Sequence, residues 1–317
     1  YKQQLEQGIL SAIDLALADL SPARLAYGAG EATFAAHRRV LTDGRWTGFG
    51  VQADGPVDHT VPVLRIVDRD DKIRGIVFNY ACHCTTLGGN HYNINGDWAG
   101  YAAMNLESAF DGSVALCTIG CGGDANPEPR GTLDATKIHG RSMSAEVRRV
   151  VTGPMQAVGS VLQASFDHVE LHFDLPTRQS LQQQVSEPGA RPQVRRHAQR
   201  MLETLDTTGQ LPATYAVPIQ TWRLGDQLTM VFLGGEVVVD YALRLKETLG
   251  DDLWVTAYAN DVLGYIASER MRAEGGYEYD FSGIYYSLPG PWAKGTENRL
   301  VDGVVRLLQS ATSPNLP

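Results

Sequence analysis

Apolar positions at the start of the chain recur every three to four residues, the spacing of one face of a helix. Residues 1–20 are therefore predicted to form an amphipathic helix. Its apolar stripe comprises Leu5, Ile9, Ala12, Ile13 and Ala16. No Ser, Thr, Asp or Asn precedes this stripe as an N-cap. The missing N-cap suggests that the sequence begins inside a helix. Disorder, cleavage and the choice of chain boundary are alternative explanations of the missing cap.

Strand-like and helical patterns alternate along the rest of the chain. The predicted strands are 61–68, 73–82, 113–120, 161–175, a hairpin over 214–233 that turns at Gly225-Asp226, and 253–259. The predicted helices are 97–110, 135–151, 178–206 with a break at 187–192, 237–249 and 297–311. Strands 73–82 and 113–120 are apolar enough for buried positions. The alternation predicts an α/β fold in which mixed β-sheet layers are covered by helices on both faces, in one large domain over residues 1–317.

Composition narrows the class of protein. A chain of 317 residues with 43% hydrophobic content can bury a large core, which is typical of a soluble globular protein. The net charge of −9 and the pI near 5.4 oppose a phosphate-binding face, so no nucleic-acid partner is expected. No apolar run approaches the roughly 20 residues of a membrane span. The first residues also lack a basic segment followed by an apolar core with a cleavage site.

Four loops that follow predicted strands are rich in polar and glycine residues: 83–96, 121–131, 234–236 and 260–265. In open α/β sheets, ligands collect at the loops beyond the carboxyl ends of the strands. The sequence therefore predicts a functional site where these loops meet.

Three side chains in these regions have chemistry suited to a site. His83 ends an apolar strand, where it could present a ring nitrogen to a metal, or could be a hydrogen-bonded buried histidine. Glu236 lies between an apolar strand and an apolar helix, as a metal ligand or as a first-turn charge favoured by the helix dipole. Asp97 fits a helix N-cap better than a catalytic role.

The loop Gly120-Cys121-Gly122-Gly123-Asp124-Ala125-Asn126-Pro127 has glycines that allow backbone N–H groups to approach a ligand. A plain turn is the alternative. Tyr265 and Tyr277 follow in the last third of the chain, and tyrosines line pockets more often than they bind metal.

The order of these motifs resembles the neutral/alkaline ceramidase family across nearly the whole chain. The matching stretches are Asn79…His83 with Asp97-Trp98-Ala99-Gly100-Tyr101-Ala102, Gly123-Asp124-Ala125-Asn126-Pro127, Gly234-Gly235-Glu236, Asn260…Gly264-Tyr265 and Tyr277-Glu278. The spacing from Asn79 to His83 is one residue shorter than in the family. Five ordered motifs are much more specific than any single one.

The resemblance implies a zinc-dependent hydrolase that cleaves the amide bond of an N-acyl substrate, a ceramide-like lipid or related amide, with a metal-activated water. It assigns His83, Glu236 and Tyr265 as zinc ligands. It further implies that Tyr277 contacts the reacting amide and that Arg38 helps to bind the substrate.

The remaining catalytic candidates, Asp124 and Asn126, belong to the loop that resembles the family's G-D-x-S-P motif. Family members have a serine, proposed to act in catalysis, where this chain has Asn126. An asparagine cannot be that nucleophile, but its amide can donate a hydrogen bond to an oxyanion. The substitution puts ceramide specificity in question.

Two family features have no match in the sequence: an upstream T-H-T-H-S-G-P motif and a C-terminal immunoglobulin-like domain. The resemblance then predicts that one zinc ligand and the general base lie on a separate N-terminal segment of the same protein, with His91 as an alternative ligand. It also implies a secreted or periplasmic location.

Cys82, Cys84, Cys117 and Cys121 form two close pairs that support a different function. A four-cysteine zinc site would make the chain a non-catalytic, metal-stabilised binding protein. The spacings C-x-C and C-x-x-x-C fit ordinary zinc sites poorly, and a disulfide or plain buried thiols are the other interpretations.

Overall fold

A computed structural model describes residues 1–312, and eight α-helices lie within them. They are α1 Lys2–Ala18, α2 Asp97–Ala109, α3 Leu133–Thr152, α4 Arg178–Ser186, α5 Pro192–Thr208, α6 Val239–Leu249, α7 Glu269–Glu274 and α8 Thr296–Thr312. A π-helical turn, Tyr277–Phe281, and a 3-10 turn, Ser282–Tyr286, follow α7. Every predicted helix is present, and the break predicted within 178–206 separates α4 from α5.

The strands of the same residues form two main sheets and three small pairs. They are β1 Arg24–Glu31, β2 Ala35–His37, β3 Arg39–Thr42, β4 Arg45–Phe49, β5 Thr60–Val67, β6 Ile73–Tyr80, β7 Val114–Ile119, β8 Ala125–Pro127, β9 Gln156–Val158, β10 Leu162–His172, β11 Thr214–Leu224, β12 Leu228–Leu233, β13 Glu236–Val237, β14 Trp254–Thr256 and β15 Tyr265–Ile266. One sheet has the order β7-β6-β5-β1-β9 and the other β10-β11-β12-β14. Parallel and antiparallel pairs occur in both, which confirms the α/β class with mixed sheets.

The two sheets pack against each other face to face. Alternate residues of a strand point to opposite faces, so Val63 of β5 packs towards α2 and α3 while the adjacent Leu64 packs against Met230 and Trp254 of the second sheet. The far face of the second sheet, including Val231, packs against α6 and α8. Helices therefore cover the two outer faces of the stack, and each sheet carries helices on one face only.

Strand β7 was expected to be buried, and the structure corrects this. It is hydrogen-bonded to β6 on one side and forms the edge of its sheet. Val114 and Leu116 are consequently 55% and 57% exposed. Apolar composition alone does not distinguish an edge strand from a central one, because exposed apolar side chains are common on the surface of folded proteins.

Strand β1 was not predicted, because its sequence contains Gly28 and Gly30 in place of strand-forming residues. The close approach of α3 favours glycine at both positions. A Cβ atom on Gly28 would lie 2.9 Å from a methyl carbon of Val150, and one on Gly30 would lie 2.2 Å from Glu146 Oε1. Glycine at these two positions lets α3 pack closely on the strand, although glycine lowers the strand propensity of the sequence.

Helix α1 forms as predicted, but none of its residues is buried, and its apolar stripe is exposed. Within the described residues, no helix is both long and apolar enough to cross a membrane.

Two of the short strand pairs bring distant motifs together. Antiparallel β2 and β8 place Ala36 opposite Asn126, and parallel β13 and β15 place Glu236 opposite Tyr265. The pair β2–β8 extends the rim of the first main sheet and the pair β13–β15 extends the rim of the second. The Gly123 N–H donates to the Val237 carbonyl, which joins the two rims where the polar loops gather.

Candidate active site

His83, Glu236 and Tyr265 converge at one point although they come from three separate motifs. His83 Nε2 lies 3.5 Å from Glu236 Oε2 and 3.3 Å from the Tyr265 hydroxyl. The backbone on both sides of His83 is held, because its N–H donates to the Ala125 carbonyl and its carbonyl accepts from Trp98 Nε1. The loops predicted to form the site therefore do meet.

The orientation of the His83 ring follows from its hydrogen bonds. Nδ1 lies 3.0 Å from the Ala125 carbonyl, which can only accept, so Nδ1 carries the proton. In the neutral ring, Nε2 then has a lone pair directed at the Glu236 carboxylate, which is also electron-rich. A proton or a metal ion between these two atoms removes that repulsion, and a backbone carbonyl behind the ring is the usual support of a metal-bound histidine.

Glu236 is held as an ionised carboxylate. Its oxygens accept hydrogen bonds from Tyr258, at 3.2 Å, and from Tyr286, at 2.6 Å. Burial alone raises the pKa of Glu236, but its interactions with His83, Tyr286 and Tyr265 outweigh burial and lower the pKa to about 2. Because α6 begins only at Val239, Glu236 is not a first-turn residue of that helix.

Tyr258 and Tyr286 are site residues that were not predicted from the sequence. Tyr258 follows β14 in the way that His83 follows β6, so its position just beyond a strand end was an available signal. Tyr286 ends an irregular 3-10 turn and had no periodic signal at all.

Arg38 extends into the same cluster. Its Nη2 donates to the Tyr265 hydroxyl at 3.1 Å, and its Nη1 lies 3.5 Å from both His83 Nε2 and Asn126 Oδ1. The face of the guanidinium stacks on Phe49, 4.8 Å from the ring centroid. Arg38 is buried. The resemblance assigned this residue to the substrate site, and in the structure it lies against the proposed zinc ligands His83 and Tyr265.

Asn126 faces the cluster as expected. Its Oδ1 accepts from Thr85 Oγ1 at 3.2 Å and is within reach of Arg38. The donor role of its amide nitrogen stays a prediction. Tyr277 borders the cluster through ring contacts, with its centroid 5.7 Å from that of Tyr265 and 5.3 Å from that of Phe49.

Asp124 contacts a different set of groups. Its Oδ1 accepts from the Val239 N–H at 2.9 Å, while Oδ2 lies 3.4 Å from His37 Nδ1 and 3.6 Å from Arg270. No contact between its carboxylate and the three proposed metal ligands occurs in the described residues. Its catalytic role stays a prediction, and its contacts indicate that it positions the loop that carries Asn126.

The prediction that Asp97 is a helix N-cap is wrong, because Gly96 is the N-cap of α2 and Asp97 is the first residue of the helix. Its carboxylate accepts from the backbone N–H groups of Trp98 and Leu87, at 2.7 and 3.0 Å, which secures the start of α2.

The four cysteines are free thiols, with Cys82 and Cys121 buried and Cys84 exposed. Burial raises the pKa of the Cys82 and Cys121 thiols. The structure therefore contains neither the proposed disulfide nor a cysteine cluster for zinc within residues 1–312.

A metal ion at the cluster would depend on the Tyr265 phenol. Among the described residues, no group of three or more His, Cys, Asp and Glu side chains is arranged to hold a metal. Zinc ligands at about 2 Å in a tetrahedron are separated from one another by about 3.3 Å. The distances from His83 Nε2 to Glu236 and Tyr265, 3.5 and 3.3 Å, fit that separation. One nitrogen and two oxygens also fit the donor preference of zinc.

Comparisons with known proteins point to one family. Residues 2–157 match the family model described as neutral/alkaline non-lysosomal ceramidase, N-terminal. A neutral ceramidase of Pseudomonas aeruginosa is 30% identical over 123 residues, which is 38% of this chain and 18% of that protein.

Solved structures show the same fold over almost the entire chain. The crystal structure of the Pseudomonas aeruginosa neutral ceramidase has a TM-score of 0.66 at 21% identity, over 95% of this chain and 54% of that one. A ceramidase complexed with C2 has a TM-score of 0.66 at 20% identity, over 96% of this chain and 57% of that one. The chain thus spans about half the length of these relatives.

Proposed function

Because this chain belongs to the neutral/alkaline non-lysosomal ceramidase family, we propose that it is a zinc-dependent hydrolase that cleaves the amide bond of an N-acyl substrate such as ceramide. The observation that carries the proposal is the convergence of His83, Glu236 and Tyr265 beside Arg38. A secreted or periplasmic location stays a prediction from the family resemblance.

The chain's own residues would hold the metal and orient the substrate. His83 supplies the Nε2 lone pair, the ionised Glu236 supplies negative charge, and Tyr265 supplies a phenol oxygen. When bound, zinc would polarise the scissile carbonyl and lower the pKa of a water molecule towards neutrality.

The reacting carbonyl needs hydrogen-bond donors where negative charge develops on its oxygen. Arg38 Nη1 faces the cluster and is suited to this task. The amide of Asn126, whose oxygen lies 3.5 Å from Arg38 Nη1, is a second candidate donor, and Tyr277 closes one side of the site. These donors lie in a largely buried site, where hydrogen bonds to a developing charge are stronger than in water.

The identity of the acyl and amine groups is a separate question. Asn126 stands where ceramidases have a serine, so the proposed substrate class is N-acyl amides in general, with ceramide as one member. Hydrolysis rates for N-acyl substrates of short and long chain length, ceramide included, would rank them.

The test combines metal content with activity. We expect His83→Ala and Glu236→Gln to lose bound zinc, measured by elemental analysis, together with amide hydrolysis. His59→Ala is a matched control, because His59 Nδ1 also lies 2.9 Å from a backbone carbonyl, that of Ala32, in a partly buried position. The control should retain zinc and activity.

Cysteine variants separate this proposal from the rival one. Cys84→Ser and Cys121→Ser should leave the zinc content unchanged. Zinc lost from the cysteine variants and kept by His83→Ala would overturn the proposed site.

A further inference from the structure

The carboxylate of Glu278 contacts two consecutive arginines inside the protein. Its Oε1 accepts from Nε and Nη2 of Arg38, at 2.9 and 2.8 Å, and its Oε2 accepts from Nη1 of Arg39. Glu278 is only 2% exposed. Ionic hydrogen bonds of this kind are among the strongest in proteins, and burial limits their screening by solvent.

The planar guanidinium of Arg38 has one orientation compatible with these bonds. The edge formed by Nε and Nη2 is bound to Glu278, which leaves Nη1 directed at His83 and Asn126. The position of the Arg38 donor at the candidate active site therefore depends on a carboxylate located behind it.

Arg39 and Glu274 complete the charge balance. Glu274 accepts from Nε and Nη2 of Arg39, at 3.3 and 3.0 Å, and the Gly275 carbonyl accepts from the same Nη2. Two buried carboxylates thus face two buried arginines, and Glu274 also accepts from the partly buried Arg270 at 2.8 Å. Of these two carboxylates, Glu278 is the one that contacts Arg38.

We propose that Glu278 is a positioning residue that aims Arg38 at the carbonyl oxygen of the substrate. It does not itself touch the reacting atoms. The inference rests on the proposed hydrolase function and adds to it a residue that the motif comparison matched but gave no role. It also explains why a Tyr-Glu pair serves this site: Tyr277 lines the cluster, and its neighbour holds the arginine from behind.

The experiment compares Glu278→Gln with Glu274→Gln, alone and combined with Arg38→Ala. Both single variants remove one buried carboxylate from the same network, so both should lower the melting temperature. Glu278→Gln should also reduce kcat by roughly 10- to 100-fold, because small misplacements of a catalytic group carry losses of that size. Glu274→Gln should retain kcat within about threefold, since Arg38 keeps its partner.

The double variants distinguish positioning from a general structural effect. If Glu278 acts through Arg38, adding Glu278→Gln to Arg38→Ala should change kcat by less than about twofold. An equal loss in both backgrounds, or wild-type kcat in Glu278→Gln, would overturn the inference. If Glu278→Gln fails to fold, Glu278→Asp takes its place in the same double-mutant cycle. The aspartate keeps the negative charge, but its shorter side chain does not reach Arg38 in the same way.

Failure of the hydrolase proposal would be recognised separately, as an absence of hydrolysis by the wild-type protein for all chain lengths. The positioning role is then tested by binding of octanoate, a carboxylate that would pair with Arg38, using calorimetry. Arg38→Ala and Glu278→Gln should weaken octanoate binding by similar factors and not additively. No binding to the wild-type protein, or equal binding to Glu278→Gln, would contradict the proposal.

Discussion

Individual polar side chains of the site depend on the backbone groups that face them. The Ala125 carbonyl determines which nitrogen of His83 carries the proton, and the Val239 N–H holds one oxygen of Asp124. Both contacts involve the loop after β7, so this loop orients a proposed metal ligand and the Asn126 amide together. Substitution of Asp124 should therefore affect stability, whereas substitution of Asn126 should affect the chemistry.

The pH dependence of stability should change when Asp124 is replaced by asparagine. Burial, assisted by the charge of Asp240, raises the pKa of Asp124 from 3.8 to about 7 in the folded protein. A raised carboxyl pKa means that the folded state binds the extra proton, so this contribution to stability is present at low pH and is lost as the pH rises through about 7.

The measurement is the melting temperature of both proteins between about pH 5 and pH 8. Relative to wild type, Asp124→Asn should gain stability as the pH rises through this range. Burial also lowers the pKa of the neighbouring His37, to about 4, which reduces stability as the pH falls below about 6.5 in both proteins. Parallel melting profiles for the two proteins would show that Asp124 does not titrate in this range.

Asn126 should act as a hydrogen-bond donor and not as a nucleophile. Asn126→Ala should lower kcat by about 10²-fold, the usual effect of removing one oxyanion donor, with little change in melting temperature. Mass spectrometry of the protein during turnover should find no acyl adduct on residues 123–127. A trapped adduct there would contradict this assignment.

Among the structural elements, the irregular segment after α7 has the largest influence on the site. Its two turns contribute Tyr277, Glu278 and Tyr286, and helix α5 supports it from outside. His197 of α5 lies 2.7 Å from the Leu288 carbonyl, and Arg191, the N-cap of α5, stacks on Phe281. Helix α5 therefore supports the segment that contributes Tyr277, Glu278 and Tyr286 to the site.

Gly264→Ala should damage this segment. Gly264 has a φ of +117°, and a Cβ atom there would lie 3.0 Å from the ring of Tyr286, which donates to Glu236. We expect a loss of about 1–3 kcal/mol in unfolding free energy from backbone strain, together with a fall in zinc affinity and kcat.

Gly209→Ala is the matched control, because Gly209 also has a positive φ, +79°, but a Cβ atom there meets no other atom within 4 Å. It should lose stability and retain kcat. Equal activity in the two variants would show that the position of Tyr286 is unimportant.

For the molecule as a whole, the interface between the two sheets joins the halves of the site. His83 follows the first sheet, whereas Glu236 follows the second, so their 3.5 Å contact depends on how the sheets stack. Trp254 is completely buried at this interface, with its ring 6.4 Å from that of Tyr27. Loss of packing between the sheets should therefore reach the site.

Trp254→Ala should reduce the unfolding free energy by about 3–5 kcal/mol, the range for removing a large buried aromatic side chain. Leu116→Ala, on the exposed edge strand β7, should change it by less than about 0.5 kcal/mol. Urea unfolding followed by circular dichroism measures both. A similar small effect for both variants would mean that the sheets do not form a tight interface.

Among the described residues, sequence patterns alone predicted every helix except α7, seven of the fifteen strands, the α/β class and the residues proposed to bind a metal. These features follow from local periodicity and from the order of short motifs. The break between α4 and α5 and the hairpin β11–β12 were therefore predictable. Only the tertiary structure decided the stacking of two sheets, the edge position of β7, the contacts of Asp124 and the hydrogen bonds from Tyr258 and Tyr286. Those contacts join residues far apart in the chain: Arg38 and Glu278 are separated by 240 positions. Local patterns report which face of an element is apolar, but they contain no information about which distant side chain will be packed against it.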